Sequence, residues 1–118
     1  MNRQQRIDAL RKALASLDTA IAQTQAALRT SADPDEIDRL TSQLADLQAE
    51  RQNVQFRLSN LEMAAGEIAD ISPDNAAKVR ALSADLDRAI VTGATVSATL
   101  DFANTVLAKT SEMRSALA

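Results

Sequence analysis

The chain lacks most of the residue types on which active sites and metal sites depend. Its 118 residues include no cysteine, histidine, tryptophan or tyrosine, and the only aromatic residues are Phe56 and Phe102. The absence of cysteine and histidine excludes disulfides, thiolate nucleophiles, Ser–His catalytic pairs and zinc sites of the usual kinds. The absence of tryptophan and tyrosine removes the large side chains that usually anchor small-molecule pockets and protein hot spots.

Glycine and proline are also scarce, with two of each, whereas alanine accounts for 24 of the 118 residues. This composition favours helix along the whole chain. No segment approaches the roughly 20 apolar residues of a spanning helix, and the start of the chain lacks the apolar core of a signal peptide. We therefore expect an all-α, cytoplasmic protein. Ten arginines against three lysines are typical of a GC-rich bacterial genome.

The charged residues occur in blocks, although the net charge is only −3. Residues 1–30 carry five basic and two acidic side chains, residues 31–70 carry three and nine, and residues 71–118 carry five of each. Such blocks are typical of solvated faces that attract one another within a fold. The basic start of the chain has neither the charge density nor the aromatic residues of a nucleic-acid or membrane-binding surface. We expect neither as a partner.

The remaining polar residues do not form a recognisable catalytic or ligand-binding motif. The carboxylates between Asp33 and Asp38 are explained by helix capping, and the ligand spacing of a calcium loop is missing. Both glycines are isolated, so there is no phosphate-binding loop, and no serine or threonine has a histidine or paired lysine as a base. We expect no enzyme activity, no catalytic, cofactor-binding or metal-binding residues, and no small-molecule substrate.

Apolar residues recur at alternating steps of three and four, which predicts amphipathic helices with a coiled-coil stripe. The first stripe comprises Ile7, Leu10, Leu14, Leu17, Ile21, Thr24 and Leu28; the second comprises Ile37, Leu40, Leu44, Leu47, Arg51, Val54, Leu58, Leu61, Ala65 and Ile68; the third comprises Val79, Leu82, Leu86, Ala89, Gly93, Val96, Leu100, Ala103 and Leu107. The sequence predicts helix 1 over about residues 3–30, helix 2 over about 34–71 and helix 3 over about 73–116, in one domain of residues 1–118.

Two cap-and-proline pairs mark where the second and third helices begin. Asp33 precedes Pro34, and Ser72 precedes Pro73, which places an N-cap before a proline at the first helical position in each case. Short connections make consecutive helices antiparallel neighbours. We therefore predict an elongated antiparallel three-helix bundle or coiled coil, in which Leu47 of helix 2 lies level with Val96 of helix 3.

The uncharged stretch Ile90–Leu100 decides between this fold and its alternative. In the three-helix register Arg51, the one cation in the second stripe, lies level with Gly93, the one residue of the third stripe without a side chain. This predicts a polar, close-packed layer of Arg51 and Gly93 within a continuous helix 3. The alternative breaks helix 3 at Thr92–Gly93, with the glycine as a C-cap, and gives a four-helix bundle.

The third helix carries a second apolar face, which we predict to be an interaction face. It comprises Val91, Thr95, Ala98, Phe102, Val106 and Met113. A helix that is apolar on two sides contacts two neighbours, of which one can be another protein or a second copy of the chain. We expect a non-catalytic protein–protein interaction module, such as a scaffold, adaptor or chaperone-like partner. The alternative is a self-assembling structural subunit of a larger complex, such as a phage or secretion apparatus.

Overall fold

A computed structural model of the chain describes residues 1–64, 66, 68–89 and 95–118. These residues form four α-helices, namely α1 (Arg3–Thr30), α2 (Pro34–Met63), α3 (Pro73–Arg88) and α4 (Val96–Ala116). They pack into an elongated bundle of 52 × 24 × 16 Å. The all-α prediction is confirmed. Within the described part of the chain, none of the helices is both long enough and apolar enough to cross a membrane.

The hairpin of α1 and α2 follows the sequence prediction closely. The Asn2 side chain accepts a hydrogen bond from the Gln5 N–H, and the Gln5 side chain accepts one from the Asn2 N–H, so that α1 begins with a complete capping box. The Asp33 carboxylate accepts hydrogen bonds from the backbone N–H groups of Asp35 and Glu36 and starts α2. Most of the predicted stripe of α1 is buried, including Leu10 and Leu17.

The second helix is shorter than predicted, because it ends at Met63 and not near residue 71. Ala64 already has an extended backbone conformation, and Gly66 has a φ of 85°. This left-handed conformation is one that glycine adopts easily and that no right-handed helix can contain. Glycine is unfavourable in the interior of a helix, and α2 ends before Gly66.

The prediction of one continuous third helix is wrong, and the four-helix alternative fits the structure. α3 ends at Arg88 and α4 begins at Val96, each with its own cap. The N–H of Ala89 donates to the carbonyl oxygens of Asp85 and Leu86, and the Thr95 hydroxyl accepts from the N–H of Ala98. The predicted break at Thr92–Gly93 lies outside the described residues.

Helices α1 and α4 occupy the middle of the bundle. These two helices pack against each other, and α2 and α3 each contact both of them, whereas no contact joins the described residues of α2 and α3. The buried small residues of the two central helices are Ala9, Ala13, Ala20 and Thr24 in α1 and Thr99, Ala103, Thr110 and Ala116 in α4. Small side chains allow two helix axes to approach closely, which explains why α1 and α4 occupy the middle of the bundle.

The direction of the last helix relative to α2 differs from the prediction. Gln43 donates a hydrogen bond to Asn104, and Glu50 accepts hydrogen bonds from Arg114, so residue numbers increase together along both helices. α2 and α4 are therefore parallel. The predicted antiparallel register, with Leu47 level with Val96, is wrong because it assumed an unbroken third helix.

Candidate functional site

The predicted interaction face of the last helix lies largely inside the bundle. Phe102, Val106 and Met113 are buried members of the hydrophobic core. Thr95 caps α4, Ala98 is half-buried, and Val91 lies outside the described residues. The three core residues are thus packed against other helices of the same chain and are not accessible to a protein that docks on the folded bundle.

Of the two residues in the predicted layer of Arg51 and Gly93, the structure describes only Arg51. The Arg51 Nε lies 2.5 Å from the Asp18 Oδ1 of α1, and the two side chains are 40% and 54% exposed. The Asp18 carboxylate, through this hydrogen bond and its charge, raises the pKa of Arg51. Gly93 lies outside the described residues. Arg51 therefore joins α2 to α1 at the surface of the bundle.

Two arginines at the start of α1 hold the connection between α2 and α3. The Arg3 Nη2 donates to the carbonyl oxygen of Gly66 at 2.6 Å, and the Arg6 Nη2 donates to that of Ala69 at 2.5 Å. Arg6 is only 6% exposed. These guanidinium groups bind main-chain oxygens of the chain itself, so their role is to position the connection.

Ion pairs fix the position of α4 relative to two of its neighbours. The Arg114 Nε and Nη2 donate to the two carboxylate oxygens of Glu50 at 2.9 and 3.2 Å, which gives a bidentate pair in which the Glu50 side chain is 9% exposed. At the α3–α4 contact, the ammonium of Lys109 and the guanidinium of Arg88 lower the pKa of Asp85. These groups hold helices together.

The face of α2 that points away from the core is uncovered by the rest of the described chain. The predicted stripe of α2 faces the core, with Leu40, Leu47, Val54 and Leu58 buried; we call this stripe the inner seam. On the opposite side a second series repeats at steps of three and four; we call it the outer seam. It comprises Ser42, Ala45, Ala49, Gln52, Phe56, Ser59 and Met63. Six of the seven residues are exposed, and Ser59 is half-buried.

The outer seam differs from an ordinary solvated helix face in composition. None of its residues is charged, and among all exposed residues from 41 to 63 only Asp46 and Glu62 are. Phe56 is 68% exposed and Met63 is 81% exposed, and both belong to this seam. Few charged residues, together with aromatic residues and methionine, are typical of the buried centre of protein interfaces. The 3–4 spacing of the outer seam is present in the sequence. Because most of the seam residues are Ser, Ala and Gln, a search for apolar stripes does not find it.

An open groove adjoins the outer seam at Phe56. It has a volume of about 520 Å³ and lies where the ends of α2 and α4 meet the connection before α3. Its apolar lining residues include Leu10, Leu61, Ile68, Ile71 and Leu117. The groove extends the apolar surface of the outer seam around the end of the bundle.

The described residues contain no cluster of three or more acidic side chains that could hold a metal ion. Comparison of the chain with protein-family models, with curated proteins and with solved structures gives no match. The outer seam is therefore the candidate functional site on physical grounds alone.

Proposed function

We propose that this chain is a non-catalytic protein–protein interaction module that binds another helix through the outer seam of α2. The observation that carries the proposal is the combination of two large exposed apolar residues with a charge-free 3–4 repeat. Single exposed apolar residues are normal on protein surfaces. An uncharged repeat at helical spacing that includes two large apolar residues is instead typical of a helix face that contacts a partner. From Ser42 to Met63 the seam covers three heptads, about 32 Å of helix.

The arrangement of the bundle supports the same proposal. α2 is held on one side by α1 and α4, and its outer seam points away from both. The seam also belongs to a helix of 30 residues, the longest of the four described, so it presents a rigid surface. A rigid helix face binds a second helix at a low cost in conformational entropy.

A site-specific photo-crosslinker tests this function in the source cells. Placed at residue 56, it should join the chain to a partner that mass spectrometry identifies. Placed at Thr105, an exposed residue of α4 outside the seam, it serves as the matched control and should not. The purified partner should then bind the wild-type chain and bind the Phe56→Glu variant at least about tenfold more weakly.

Two results would contradict the proposal. One is equal crosslinking of the same partner at residues 56 and 105. The other is a purified partner whose affinity is unchanged by both Phe56→Glu and Met63→Glu.

A further inference from the structure

We infer that the occupant of the outer seam is a second copy of this chain, with the two α2 helices antiparallel and their two-fold axis close to Gln52. The inference rests on the proposed function, since it names the partner that the same surface binds. It depends on three features of the seam: the order of large and small residues, the polar residue at its centre, and the position of its few charges.

The sizes of the seam residues are complementary between antiparallel copies. The large residues lie in the second half of the seam, and the first half contains only Ser42, Ala45 and Ala49. Antiparallel pairing about Gln52 places Phe56 within one residue of the level of Ala49 of the second copy, and Met63 within one residue of the level of Ser42. Each large side chain then meets a small one, which allows even packing along the contact. Parallel pairing would set Phe56 against Phe56 and leave the alanines without contact.

The polar residue at the centre suits the same arrangement. Gln52 of one copy meets Gln52 of the other at the two-fold axis, where each side-chain amide can donate to the other's carbonyl oxygen. A polar side chain at the centre of a coiled-coil contact specifies register and partner number. A slip of one heptad would separate the two glutamines and place each opposite Ala45 or Ser59 of the second copy.

The charges beside the seam are complementary as well. With the axis at Gln52, Arg57 of one copy lies one residue from the level of Asp46 of the other, on the same flank and within reach of its long side chain. The two-fold symmetry produces this opposite-charge pair twice. The remaining exposed charge, Glu62, lies level with the uncharged Ser42 of the second copy. No like charges face each other along the flanks, so this pairing brings no electrostatic repulsion between the two copies.

The absence of cysteine from the natural chain allows a direct test, because each cysteine introduced is the only one present. Disulfides form only when the two Cα atoms are within about 7 Å. Under mild oxidation Gln52→Cys should link two copies, since it lies at the axis. Met63→Cys should not link to itself but should link to Ser42→Cys when the two variants are mixed. Ala22→Cys, exposed on α1, is the matched control and should stay unlinked.

Sedimentation over a concentration series provides the second measurement. The mass of the wild-type chain should rise from one copy to two and stop there, because a two-fold contact is closed. Phe56→Glu should raise the dimer dissociation constant at least about tenfold while its helical circular dichroism stays unchanged.

The outcomes separate the two proposals. Self-linking of Met63→Cys would show a parallel pair and overturn the antiparallel arrangement. A single-copy mass at every concentration, with no linkage at Gln52→Cys, would overturn the second copy as occupant. If an unrelated partner is nevertheless crosslinked at residue 56 in cells, the interaction function stands without self-association. If neither is found, both proposals fail.

Discussion

The two seams of α2 share one helix and one periodicity, yet they differ in almost every other respect. The inner seam is built of Leu and Val, is buried, and contacts α1 and α4. The outer seam is built of Ser, Ala, Gln, Phe and Met and is exposed. Its small residues contribute little transfer free energy, because apolar stabilisation scales with buried area. The inner seam thus has the composition of a permanent core, and the outer seam that of a contact that can form and separate.

The largest expected effect comes from truncating one residue of each seam. Leu47→Ala removes a fully buried side chain and should lower the free energy of unfolding by about 2–5 kcal/mol. Phe56→Ala removes a mostly exposed one and should change it by no more than about 0.5 kcal/mol in dilute solution. Urea unfolding at low protein concentration measures both.

The same two variants should also differ in how their melting temperatures depend on protein concentration. The melting temperature of the wild type and of Leu47→Ala should rise with concentration, because dimerisation stabilises the folded state. That of Phe56→Ala should not. An equal loss of stability for both truncations would show that the outer seam is part of the monomer core.

A smaller effect distinguishes two of the ion pairs of α2, those of Glu50 and Arg51. A double-mutant cycle with Glu50→Gln and Arg114→Met should give a coupling free energy of about 1–3 kcal/mol, since the pair is bidentate and its carboxylate is buried. Because the Arg114 side chain is one quarter exposed, solvent screens the pair, and the coupling free energy should lie toward the lower end of this range. The exposed pair of Asp18 and Arg51, tested by Asp18→Asn and Arg51→Met, should give at most about 1 kcal/mol. Equal coupling in the two cycles would contradict this ranking.

The smallest effect is a pH dependence at the α3–α4 contact, remote from both seams. Lys109 and Arg88 lower the pKa of Asp85 below its ordinary value of 3.8. Asp85 therefore stabilises the fold above that value, and the stabilisation is lost as the pH falls through its lowered pKa. Thermal unfolding between about pH 5 and pH 2 should show a shallower decline for Asp85→Asn than for the wild type. Lys109→Met should flatten the profile in the same way. Parallel profiles for all three proteins would contradict the role of Asp85.

The first two helices could be predicted from the sequence because local signals agree there. The Asp33–Pro34 start and the Leu stripes of both helices coincide with observed helix starts and buried positions. The last third of the chain was predicted less well. Its heptad spacing continues from Val79 to Leu107 in the sequence, and spacing alone does not report where a helix stops. A cap such as Thr95 is visible only when a break is already suspected.

The interaction face predicted on the last helix differs from the outer seam that we propose on α2 for a related reason. Phe102, Val106 and Met113 are apolar and in register, which is typical of a face that binds a partner, but in the structure they belong to the core. The outer seam of α2 is mostly small and polar, so hydrophobicity does not reveal it. Exposure decides between the two faces, and exposure depends on tertiary packing. That the chain forms one domain stays a prediction.

The three fully or nearly buried threonines differ from the ion pairs in their effect on which helices pack together. The hydroxyls of Thr24, Thr99 and Thr110 each donate to a carbonyl oxygen four residues earlier in the same helix. Each hydroxyl is thereby satisfied without any neighbouring helix, so these polar groups do not select which helix packs beside them or in which direction. Glu50 and Arg114, by contrast, pair across two helices, so replacing a buried threonine by alanine should leave the arrangement of the helices unchanged, whereas replacing either member of the ion pair removes a contact that depends on it.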